Sequence, residues 1–119
     1  MGQYFKLINE NKQEQISAWE MECVAKFFEW LYNNQARLLV WLLRKSDQGG
    51  GGDIPEWDKY QTLGRWAGDN ITLIGDYDSS KLWQKTEKWD NIGKLVKQEY
   101  NQAITEDLGE SDWVEKMQV

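Results

Sequence analysis

Six carboxylates crowd the middle of the chain: Asp53, Glu56, Asp58, Asp69, Asp76 and Asp78. They flank short apolar runs and glycines, an arrangement that allows them to converge at one end of a small sheet, though the sequence leaves open whether they do. Hard oxygen ligands hold Ca²⁺ or Mg²⁺, and Asp76-x-Asp78-x-Ser80 has the alternating spacing that wraps a cation. The later glycine and the distal bidentate glutamate of an EF-hand are missing, so no metal is expected. Paired carboxylates also act as acid and base on glycosidic or phosphate substrates, but no partner motif accompanies these. The plainest role is turn capping, in which an aspartate accepts from its own neighbouring backbone. The candidate ligand surface is therefore Asp53, Arg65, Asp69, Asp76 and Asp78. Arg65 offers a planar fork to an anion or, more simply, an internal ion pair with a neighbouring aspartate.

Other chemistries are missing. The chain has no histidine, which removes Ser-His-Asp and Cys-His catalysis and histidine metal sites. A single cysteine, Cys23, precludes an intramolecular disulfide and the usual structural zinc set. Set among Val24, Phe27 and Phe28, Cys23 reads as a buried, inert thiol. Gly49 to Asp53 is not a phosphate-binding loop, because no Gly-Lys-Ser/Thr follows, and no dinucleotide fingerprint is present. The glycine run reads as a flexible loop. An enzyme is thus not the expected reading, and no cofactor is expected.

A chain of 119 residues fits one domain with a real core. The net charge of −6 argues against direct nucleic-acid binding, which needs clustered Lys and Arg, and favours a basic protein partner or plain solubility. Eight tryptophans are an excess, expected mostly in the core, with some left as interface anchors. The longest apolar run, Leu38 to Leu43, is far short of the ~20 residues that span a bilayer. With no secretory signal visible at the N-terminus, a soluble cytoplasmic protein without membrane contact is expected.

The elements that must position these residues follow from pattern. Gln3 to Ile8 reads as an opening strand and Asn9 to Asn11 as a turn. Ser17 and Glu20 spell a capping box, with Ile16 and Met21 at the staple positions. Met21, Val24, Phe28 and Leu31 then form a helical stripe, closed by a left-handed stop at Asn33-Asn34. Ala36 to Lys45 reads as a second helix with Leu39, Val40 and Leu43 on one face, or as a buried strand. Leu63–Ala67 and Asn70–Gly75 read as a hairpin across Gly68-Asp69, and Leu82 to Trp89 as a possible further strand. From Ile92 to Leu108 the i, i+3, i+4 spacing of Leu95, Val96, Tyr100, Ala103 and Ile104 predicts a final helix capped by Asp90. An acidic stretch follows from about residue 106. The fold class expected is α+β, a small antiparallel sheet packed with about three helices in a single domain covering 1–119.

The opening Met1 to Tyr4, with the Gly-Gly-Gly-Asp53 run, Arg65 to Asp69 and Gly75 to Tyr77, resembles a family of small uncharacterised bacterial and phage proteins. That family is marked by an MGQY start, an aromatic-Ala-Gly-Asp element and a GDY element. Its members often carry His-Pro-His or Asp-Tyr-Asp after the first strand, where this chain has Gln13 to Ile16. The resemblance implies a phage-linked distribution and no particular chemistry.

Together these point to a non-enzymatic binding protein, in its sharpest form a phage or mobile-element inhibitor of a CRISPR-type host-defence nuclease. An acidic, tryptophan-bearing surface suits a partner with a basic channel. The residues expected to meet it are Glu56, Trp57, Asp58, Glu110, Asp112 and Trp113. The alternative is a small-molecule or divalent-metal site on the glycine–aspartate surface. A homo-oligomer is the third reading, and the sequence leaves the oligomeric state open.

Overall fold

The computed structural model describes residues 2–17, 25–33, 35–108 and 116–117. Strands β1 (Phe5–Asn9) and β2 (Glu14–Ile16) precede helices α1 (Phe27–Tyr32) and α2 (Ala36–Leu43). A 3₁₀ turn (Trp57–Lys59), β3 (Ile71–Gly75), α3 (Leu82–Lys85) and β4 (Asp90–Asn91) follow. The last helix is α4 (Gly93–Ala103), which widens into a π-helical turn (Ile104–Leu108). The α+β class holds. The sheet, ordered β3-β1-β2-β4, is mixed rather than purely antiparallel, because β4 runs parallel to β2.

The strand period of two divides the sheet residues between two covered faces. Leu7 pairs with Ile16 and Leu73 on the face that packs against Trp30, Leu38, Trp41, Trp66 and Val96. Lys6, Ile8 and Ile74 lie on the opposite face, buried but outside that cluster. The 82–89 segment covers this second face. Gln15 donates to the carbonyls of Glu87 (3.2 Å) and Trp89 (2.9 Å), and Lys6 to that of Trp83 (3.4 Å).

The hairpin lies elsewhere than expected. β3 pairs with β1 over its whole length, and the tight hairpin is β1–β2, turning through residues 10–13. Residues 63–67 form successive turns instead of a strand. Their amides satisfy the carbonyls that end α2: Gly64 donates to Trp41 (2.9 Å) and Trp66 to Leu42 (3.0 Å). A helix leaves its last four carbonyls without internal partners, and here the loop supplies the donors a ladder would have used. Gly64 holds φ +70°, and a Cβ there would stand 2.3 Å from the Arg44 carbonyl oxygen. Gly68 does take the left-handed conformation its turn required, at φ +81°.

Helix faces are also displaced. α2 is a helix, not a strand, but Leu38, Trp41 and Leu42 are its buried residues while Val40 is 72% exposed and Leu43 is exposed. On α1, Trp30 is buried and the expected stripe residues Phe28 (72%) and Leu31 (61%) face water. The start of α1 is held by Glu29, whose Oε1 accepts from the Lys26 amide at 3.0 Å. Asn33 ends the helix in extended, not left-handed, conformation. Ile16 is a strand residue, and Glu20, Met21, Cys23, Val24 and Asn34 lie outside the described residues. Residues 82–89 give the short α3 and turns, not a strand. Asp90 belongs to β4 and does not cap α4; Asn91 Oδ1 accepts the Gly93 amide at 3.1 Å instead.

Candidate functional site

The carboxylates of the glycine–aspartate segment are engaged inside the protein. Asp69 accepts from the buried Asn9 Nδ2 (2.8 Å) and forms an ion pair with Lys12. These donors hold its carboxyl below the ordinary range. Asn9 Oδ1 in turn accepts the Lys12 amide at 3.0 Å, so Asp69 clamps the loop onto the β1–β2 turn. Asp76 receives the Tyr4 amide on Oδ1 (3.0 Å) and returns its own amide to the Tyr4 carbonyl (2.9 Å), extending the β1–β3 ladder. Asp78 makes a turn of its own by accepting from the Ser80 amide (2.9 Å) and hydroxyl, which lowers its pKa.

These acids do not converge. Asp69 and Asp76 bracket the ends of β3, roughly 20 Å apart at ~3.3 Å per residue. Among the described residues no group of three Cys, Asp or Glu side chains is placed to share a metal ion.

Arg65 binds a glutamate rather than an aspartate or an external anion. Its Nε lies 3.0 Å from both Glu14 carboxylate oxygens and its Nη2 2.6 Å from Oε2. Trp66, fully buried, donates Nε1 to Glu14 Oε1 at 2.8 Å. Burial alone would raise the Glu14 carboxyl, but the donors Arg65 and Trp66 outweigh it and hold the pKa below its usual value. The same bidentate bond raises Arg65. The Gln13–Ile16 segment gave no sign of this, because a glutamate in a polar run reads as surface until its register places it over a tryptophan.

The 53–58 loop differs in kind. Asp53, Glu56 and Asp58 are exposed, and their carboxylates have no hydrogen bond or ion pair among the described residues. Trp57 sits half-buried between Glu56 and Asp58. The loop is anchored at its end, where Lys59 pairs with Glu106 (3.6 Å) and Asp107 (3.4 Å) and Tyr60 donates its hydroxyl to Asp107. The start of the acidic stretch is therefore tied to the same end of the molecule. Glu110, Asp112 and Trp113 lie outside the described residues.

Asp53 also borders an open apolar groove of about 470 Å³ where α2 and α4 meet the glycine loop. Val40, Trp41, Ile54, Leu63 and Tyr100 line it, with Arg37 and Arg44 on its rim. A smaller hollow of about 190 Å³ continues past Trp41 and Tyr100 to Asp107 and Leu108. The groove has no signature in the sequence, because Val40 and Trp41 of α2 meet Ile54, Leu63 and Tyr100 only through the fold.

Comparison with family models, curated proteins and solved structures yields no match in any of the three. The described residues include no helix long and apolar enough to cross a membrane.

Proposed function

We propose that this is a non-enzymatic binding protein whose partner is a protein with a basic surface, met by the 53–58 loop. One observation carries this reading. Asp53, Glu56 and Asp58 stand exposed and unpaired beside Trp57, while Asp69, Asp76 and Asp78 are occupied within the fold. Exposed carboxylates steer a cationic partner, and the half-buried Trp57 between them supplies anchoring area. In its narrower form the partner is a host-defence nuclease whose basic channel the acidic loop enters, with the net charge of −6 supplying the long-range attraction.

The test compares wild-type protein with the triple variant Asp53→Asn, Glu56→Gln and Asp58→Asn. Affinity capture at low salt should retain partners on the wild type that the variant loses, at equal melting temperature. Raising the salt should release the same partners, since exposed charges are screened. An identical capture profile for both proteins would refute the reading. For the narrower form, the wild type should inhibit cleavage by a purified RNA-guided nuclease and the triple variant should not.

A further inference from the structure

The second face of the sheet holds a buried ammonium with no ion-pair partner among the described residues. Lys6 is 2% exposed, at the middle of the sheet in β1, with its ammonium 4.4 Å from the centre of the Trp83 ring. Among the described residues one acceptor, the Trp83 carbonyl, takes one of its three N–H donors at 3.4 Å. No carboxylate of a described residue lies within ion-pair distance; Glu87 acts on it only from farther away. Buried charges are ordinarily paired, because leaving one without a counter-charge is costly.

The surroundings supply room for the missing partner. Lys6, Gln15, Ser17, Trp83, Glu87, Trp89 and Asn91 line a cleft of about 360 Å³, at the small end of the range for ligand pockets. Both hydrogens of the Gln15 amide are spent on the Glu87 and Trp89 carbonyls. Gln15 is thereby a positioning residue that fixes the tryptophan-bearing wall.

We infer that this cleft binds a small carboxylate with a planar apolar body, the carboxylate pairing with the Lys6 ammonium and the body lying between Trp83 and Trp89. The site is separate from the acidic loop and stands or falls independently of the partner-binding reading. Burial lowers the Lys6 amine, against the opposing pull of Glu87 in the same cleft, so an anion that paired with the ammonium would raise it again.

Benzoate and its neutral isostere benzamide are the probes, followed by NMR at the indole N–H signals of Trp83 and Trp89. Benzoate should shift both signals saturably with a dissociation constant of about 1 mM or tighter. Benzamide should bind at least about tenfold more weakly, and Lys6→Met, which keeps the apolar stem, should abolish the preference. A second readout needs only the wild type: benzoate affinity should fall about tenfold per pH unit once the amine loses its proton, below the usual 10.5. Equal binding of the two probes, no shift up to about 20 mM benzoate, or affinity unchanged across the amine's titration would each overturn the assignment.

Discussion

Replacing Glu14 tests a buried polar assembly that joins β2 to the 63–67 turns. Its side chain is 6% exposed, and it accepts from Arg65 and from the fully buried Trp66. In Glu14→Ala the indole N–H loses its acceptor in a dry site, a penalty of about 1–3 kcal/mol. The Arg65 side chain is 39% exposed and hydrates readily, so loss of the ion pair adds only about 1 kcal/mol. Loss of the side chain's buried methylene adds roughly 1 kcal/mol more. The total is about 4 kcal/mol. With an unfolding entropy of ~2.1 cal/mol/K per residue, 119 residues give ~250 cal/mol/K, and the melting temperature should drop by about 15 °C. Glu14→Gln keeps an acceptor for Trp66 and loses only the charge, so about 1.5 kcal/mol, or roughly 6 °C, is expected. Thermal unfolding by circular dichroism reads both variants, and the Trp66 indole N–H resonance reports the bond itself. Equal losses in the two variants, or a loss under about 1 kcal/mol in Glu14→Ala, would refute the claim that Glu14 anchors Trp66.

Other perturbations follow from the same geometry. Glu14 titrates in the fold below its unfolded value of 4.5, so its contribution is full above that pH and is lost as pH falls through the lower folded value; acid unfolding of Glu14→Gln should be correspondingly flatter. Tyr60 is pushed up to about 12 by burial and by its bond to Asp107. That stabilisation is complete below pH 10 and disappears as pH rises toward 12; the phenolate absorbance of Tyr60 should rise late, and Asp107→Asn should move it earlier. Gly64→Ala meets both a left-handed backbone and the Arg44 carbonyl, and should cost roughly 2–4 kcal/mol in denaturant unfolding. Gly68→Ala has open space around the new methyl and should cost about 1 kcal/mol; equal losses would remove the close approach from the explanation.

The α+β class, the first strand and the final helix were legible because each rests on local patterning over several residues, whereas the short apolar run of α2 fits helix and buried strand alike and only the fold decides for helix. The hairpin was not legible. Nothing local distinguishes Leu63–Ala67 from a strand; what decides is that its amides meet the carbonyls ending α2 and that Glu99 takes the amides of Gln61 (2.9 Å) and Thr62 (2.7 Å). β2 was invisible for the opposite reason: the polar residues Glu14 and Gln15 are buried only through partners distant in sequence. Turn capping was the plainest role for the aspartates, and Asp78 fills it, whereas Asp69 and Asp76 bond groups far away in sequence and their convergence required the hairpin that does not form. The Lys6 cleft had no signature either, since a lysine in an alternating strand reads as the solvent side until a second layer covers it.

The reading that matters most is the division between engaged and unpaired carboxylates. The most direct measurement is a side-by-side titration of a captured partner with wild type, with the Asp53→Asn/Glu56→Gln/Asp58→Asn variant, and with Asp78→Asn, each first checked for an unchanged fold. Neutralising the exposed loop should weaken binding about tenfold or more at low salt and flatten its salt dependence, while Asp78→Asn leaves affinity within about twofold. If Asp78→Asn abolishes binding and the loop variant binds as tightly as wild type, the functional surface is the glycine–aspartate segment after all.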